Sequence, residues 1–89
     1  MVNYYGFAYH PDCLEFLQNL PPKIRRQIIN KINRLAADPY PQTAKPLKDV
    51  NDGEERVWRE RSGDYRILYV VRDVTVVIID IGDRKDVYR

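Results

Sequence analysis

Cysteine and histidine each occur once in this chain, as Cys13 and His10, and both scarcities exclude chemistry. A lone thiol closes no internal disulfide, and one thiol with one imidazole is too small a set of soft ligands for a zinc cluster. No Ser-His-Asp or Cys-His set and no glycine-rich phosphate loop is read in the chain, and no metal and no cofactor is expected. Long apolar runs are missing too, which argues against a membrane span, and the N-terminus lacks the basic-then-apolar pattern of a signal peptide; the expectation is a cytoplasmic protein with no membrane partner. An excess of one charge is also absent. Fifteen Lys and Arg stand against thirteen Asp and Glu, so any affinity for a polyanion must come from where the charges lie rather than from their sum.

What is present suits one small domain over residues 1–89, with 44% hydrophobic and 31% charged residues, an ordinary globular balance. Val2 to Tyr9 is aromatic and β-branched, and reads as a first strand ended by His10-Pro11-Asp12. Pro11 or Asp12 opens a short helix carrying Cys13, Leu14, Phe16, Leu17 and Leu20. Cys13 reads as a packing residue and His10 as a solvated or structural one. Leu20-Pro21-Pro22 breaks that helix and starts a second from Lys23 to Ala37. In it Ile24, Ile28, Ile32 and Leu35 form one stripe, widened by Ile29 and Ala36. Its other face carries Lys23, Arg25, Arg26, Lys31 and Arg34 with no acidic residue in the span. That strip is either a solvated surface or a contact for an extended polyanion. Asp38-Pro39-Tyr40-Pro41 stops the helix, and Thr43 to Lys48 leads into a flexible acidic segment, Asp49 to Glu55.

Three strands follow. Val57 to Arg61 and Tyr65 to Val71 flank Ser62-Gly63, which reads as a tight hairpin turn, and Val74 to Ile81 is a third strand after Arg72-Asp73. The last strand is apolar on both parities, which implies burial on both faces. With Ser62 and Gly63 as loop residues, Arg59 faces Arg66 across the ladder. Arg59, Arg61 and Arg66 then share one face, with Trp58, Glu60, Tyr65 and Ile67 on the other. Opposed guanidinium groups cost a few tenths to about 1 kcal/mol. Their simplest rationale is an anion between them, and the planar fork of arginine suits phosphate. The expected fold is α+β: a small, antiparallel-rich sheet, made of the N-terminal strand and a C-terminal three-stranded meander, packed on one face by two helices.

Gly63-Asp64-Tyr65-Arg66, and Gly82-Asp83-Arg84 followed by Tyr88, resemble the G-x-Y-R-like strand and the tail motif of the RelE/ParE superfamily of type II toxins. The resemblance covers the whole chain. It implies a ribosome-dependent mRNA endoribonuclease in which the RNA 2′-hydroxyl attacks the adjacent phosphate, so that the protein orients the backbone and stabilises charge. On this likeness Arg66 and Arg84 stabilise the phosphate, Arg59 contacts it or polarises the attacking hydroxyl, and Tyr88 stacks and transfers a proton. Lys45, Lys48, Arg61, Lys85, Arg25 and Arg26 are the candidate RNA-binding residues. A lysine that RelE carries two positions before the residue matching Arg59 is Val57 here, which leaves the general base open. The implied partners are a cognate antitoxin, the ribosome and mRNA, with operator DNA reached only through the antitoxin complex. Two alternatives remain: a ParE-like inhibitor of DNA gyrase, and an inactive relative that serves only antitoxin binding and co-repression.

Overall fold

The computed structural model describes residues 5–53 and 55–83, with backbone alone for 49–52. The elements run β1 (Gly6–Tyr9), α1 (Pro11–Gln18), α2 (Pro22–Ala37), β2 (Lys45–Asp52), β3 (Glu55–Ser62), β4 (Tyr65–Arg72) and β5 (Thr75–Asp83). They build a five-stranded mixed sheet of order β1-β5-β4-β3-β2. The expected α+β class, helix pair and meander are all present. One feature is left open by the sequence and another differs. β1 lies parallel to β5, with Gly6 beside Thr75 and Tyr9 beside Ile78. The segment read as a flexible approach and acidic connector is a strand, β2, antiparallel to β3 and interrupted by a register shift between Pro46 and Asn51. Proline lacks a ladder donor and is confined to edges and bulges. Pro46 therefore marked an edge strand, and the irregularity hid the alternation.

Local chemistry sets the helix ends. The His10 side chain accepts from the Asp12 N–H at 3.2 Å, which caps α1, and Pro11 takes the first turn, where its missing donor costs nothing. His10 is thus a structural cap. Pro22 takes the same first-turn position in α2, where no side chain caps the helix. Ile28, Ile32, Leu35 and Ala36 are buried at spacings of four, seven and eight residues, as one face of a helix requires, while Ile24 is half-buried at its margin. They pack with Ile67, Tyr69, Val76, Ile78 and Ile81 of the sheet in the main core. Each fully buried aliphatic side chain of this kind contributes about 1.5–3 kcal/mol. Val74, read as the first residue of the last strand, is instead 71% exposed in the turn before β5.

Beyond Ala37 the chain is pinned rather than loose. Asp38 Oδ1 accepts from the Tyr40 N–H at 3.1 Å, Tyr40 stands edge-on to Trp58 with centroids 5.1 Å apart, and the buried Tyr69 hydroxyl donates to the Pro39 carbonyl at 2.7 Å. Burial holds that phenol well above its usual range, so it stays a donor. Burial also pushes the Cys13 thiol up to about 11, and it remains a neutral packing group in the core. On the sheet face away from the helices, Val57, Leu68 and Val70 form a second, smaller cluster with Leu47, Val77 and Ile79. This accounts for the apolar residues at both parities of β5.

Candidate nucleic-acid interface

The β3–β4 turn does not fall where Ser62-Gly63 suggested. Ser62 pairs with Tyr65, which makes Gly63 and Asp64 the two loop residues. Gly63 has φ +59°, and hairpin turns with positive φ at their first central position favour glycine there. Moving the turn centre by one residue changes every pairing but keeps both faces. Arg59 therefore lies opposite Leu68, not Arg66, and the arginine facing Arg66 is Arg61. Arg59 instead faces Lys45 of the unforeseen β2. One like-charge pair was expected and two are found, Arg61 with Arg66 and Arg59 with Lys45, all four residues on one sheet face.

On its other side Arg66 is flanked by Gly82 of β5. Arg59 and Arg66 are half-buried, whereas Arg61 and Lys45 are exposed. Paired strands run about 4.8 Å apart, so the side chains of one rung can reach a single phosphate group. Among the described residues, no carboxylate lies within ion-pair distance of Lys45, Arg59 or Arg61.

β2 begins at Lys45, opposite Arg59, so among the described residues no strand lies beside the last turnward residues of β3 on that edge. A cavity of about 320 Å³ occupies this place, lined by Lys31, Thr43, Lys45, Arg59, Glu60 and Arg61. A neighbouring cavity of about 430 Å³ lies between α2 and the β3 end, with Lys31 and Arg34 on one wall and Arg61, Ser62 and Gly63 on the other. Glu60 belongs to the helix-side parity, as its pairing with Ile67 requires, yet it reaches the cavity because the edge of β3 is open there. It is 2% exposed. One carboxylate oxygen accepts from the Thr43 hydroxyl at 2.6 Å and the other from the Arg61 N–H at 2.9 Å. These bonds tie the connector before β2 to β3 and so fix Lys45 beside Arg59. A buried carboxylate satisfied in this way is a brace for the site.

Of the residues singled out from sequence, Arg59, Arg61, Arg66 and Lys45 come together. Lys48 is exposed further along β2 and lines neither cavity. Arg25 and Arg26 stand in the first turns of α2; Arg25 donates to the Gln18 carbonyl at 3.4 Å, and neither lines the two cavities. Arg84, Lys85 and Tyr88 lie outside the described residues. Sequence reasoning did not place Lys31, Arg34, Thr43 and Glu60 at this site. The acid-free strip on α2 was the one signal for the first two, and it did not say which end of the helix would meet the sheet. Val57, standing where RelE has a lysine, is 1% exposed in the smaller cluster, so that position is filled by packing and cannot hold a solvated amine.

Residues 8–88 match the family of the ParE toxin of the type II toxin–antitoxin system parDE. A protein of Methanocaldococcus jannaschii bearing the name RelE1 is 30% identical over 82 residues, 90% of each chain. Among solved structures, the RelE–RelB complex of Pyrococcus horikoshii OT3 contains a chain that superposes with a TM-score of 0.78. It is 26% identical, over 97% of this chain and 99% of that one. The toxin–antitoxin complex RelBE2 of Mycobacterium tuberculosis gives 0.77 at 28% identity, covering 97% and 98%.

Proposed function

The chain belongs to the RelE/ParE superfamily of type II toxins, and we propose that it is the toxin of a toxin–antitoxin pair acting as a ribosome-dependent mRNA endoribonuclease. The observation that carries this reading is the doubled like-charge rung, Arg61 opposite Arg66 and Arg59 opposite Lys45, on one face beside an open strand edge. In the reaction the RNA 2′-hydroxyl loses its proton and attacks the adjacent phosphorus. The bond to the 5′-oxygen breaks, that oxygen takes a proton, and a 2′,3′-cyclic phosphate remains. Charge grows on the non-bridging oxygens at the transition state, and fixed guanidinium groups lower its energy more than that of the ground state.

Arg66 and Arg61 hold those oxygens from the two strands of one rung, and Arg84 acts with them. Arg59, fixed by its place opposite Lys45, contacts the phosphate or polarises the attacking hydroxyl, and Tyr88 stacks on a base and moves a proton. The site is rich in cations and poor in groups that titrate near neutrality. A ribosome holding the message in line would supply the orientation that such a site needs. The assembly of similar chains with RelB supports a cognate antitoxin for this one, presenting acidic side chains to the arginines, and a cytoplasmic site of action follows from both partners.

Primer extension on a translated message, with ribosomes and purified protein, tests the reading. Cuts at codon positions that vanish in Arg66→Ala are the expected result; full cutting by that variant, folded as judged by circular dichroism, removes the assignment. The match to the ParE family favours a second reading, inhibition of DNA gyrase. Loss of supercoiling with no RNA cut in the parallel assay would select it.

A further inference from the structure

Two neighbouring cavities share walls. The one beside Lys45 and Arg59 and the one beside Arg34 are both lined by Lys31 and Arg61, so together they form one groove over the open edge of β3. Gln27, Asn30, Lys31 and Arg34 line its far part at helical spacings of three, four and seven, a single row on α2 about 10 Å long. We propose that this row is a second RNA subsite, which holds the phosphates of nucleotides flanking the cleaved linkage, so that the strand runs from the Arg59 rung across β3 onto the C-terminal half of α2. The proposal rests on the RNA-cleaving reading for the identity of its ligand.

Charge supports this assignment first. Lys31, Arg34, Lys45, Arg59 and Arg61 line the groove, and none has a carboxylate within ion-pair distance among the described residues. The one acid in the lining, Glu60, has both oxygens engaged by Thr43 and by the Arg61 N–H. Such a row attracts a polyanion without regard to sequence and makes binding salt-dependent. No aromatic or aliphatic residue lines the far part, for beside the α2 row it offers only Arg61, Ser62 and Gly63. A protein segment docks through buried aromatic or aliphatic anchors, and this surface has no pocket for them. Carboxamides that both donate and accept, next to a guanidinium plane, suit the hydroxyls and unstacked bases of single-stranded RNA.

The test is fluorescence anisotropy with labelled single-stranded RNAs of three and ten nucleotides, measured across a salt series on Arg66→Ala protein, which binds without cutting. The longer RNA should bind more tightly. Adding Lys31→Gln and Arg34→Gln should weaken it about tenfold at low salt and reduce the slope of log affinity against log salt by about 0.7 for each phosphate no longer neutralised. The three-nucleotide RNA and the thermal midpoint should not change. Affinity independent of RNA length, or unaltered in the double variant, overturns the subsite. So does polyglutamate that competes as well as RNA of equal charge, since that outcome assigns the row to an acidic protein segment. If ribosome-programmed cleavage fails while length-dependent binding through Lys31 and Arg34 persists, the nuclease reading falls and the subsite stands. Cleavage with insensitive binding keeps the nuclease reading and removes the subsite.

Discussion

The two ends of one hairpin face carry opposite electrostatic logic. At the open end Glu55 of β3 meets Arg72 of β4, with the guanidinium donating two bonds to one carboxylate oxygen at 2.8 and 2.5 Å. At the turn end, on the same face and in the same register, arginine stands opposite arginine, and the next rung sets Arg59 against Lys45. Between them lie Val57 and Val70, buried and indifferent to charge. The open end shows what this ladder looks like when folding alone selects the pair. The turn end sets like charges opposite each other, an arrangement that a ladder favours only where an anion joins them.

The sharpest way to break the comparison is to remove a member of the turn-end rung. Arg66→Ala should reduce ribosome-programmed cleavage about 10²–10³-fold, the usual effect of losing one preorganised donor, with folding retained. Primer extension beside circular dichroism reads both. An intermediate effect belongs to neither end and serves as a reference. The folded-state value of the Cys13 thiol is raised from 9.0 to about 11, so the unfolded chain loses this proton first. Stability is then full below pH 9 and declines as pH rises from about 9 to about 11, by an amount on the order of 1 kcal/mol. Denaturant titrations at pH 8 and 10.5 should show the decline, and Cys13→Ala should flatten it equally in the parent and in the turn-end variants.

Making the two ends alike gives a smaller shift of telling sign. Arg61→Glu creates a complementary pair with Arg66, so it should raise stability by a few tenths to about 1 kcal/mol while abolishing cleavage. A loss of stability would mean that the like-charge rung is not costly, and the rung would no longer point to a ligand. Least of all should be felt at the open end. Arg72→Ala removes a half-exposed surface pair, costing about 0.2–1 kcal/mol in denaturant titration and leaving cleavage unchanged.

Most of the fold was legible because it rests on periodicity. The helical stripe of Ile28, Ile32 and Leu35 announces which face of α2 meets the sheet, and its burial bears out the reading. β2 was not legible, since a proline near its start and a register shift erase the alternation by which a strand is recognised. The site was half legible. Arg59, Arg61 and Arg66 share a face under either turn position, because moving the turn centre by one residue preserves side-chain parity. Which arginine opposed Arg66 depended on the backbone angle of Gly63, which residue type alone does not settle.

By itself the sequence determined which residues could pack, which face of each strand and helix they would occupy, and that several cations would fall on the same side of a hairpin. All of these follow from side-chain direction along a local backbone. Only the tertiary structure decided that Lys45 would stand beside Arg59, that β2 would begin late enough to leave an edge open, and that Lys31 and Arg34 rather than Arg25 and Arg26 would close over it. Those are relations between elements distant in the chain, fixed by how the helices bury their stripe against the sheet, and no local pattern carries that distance.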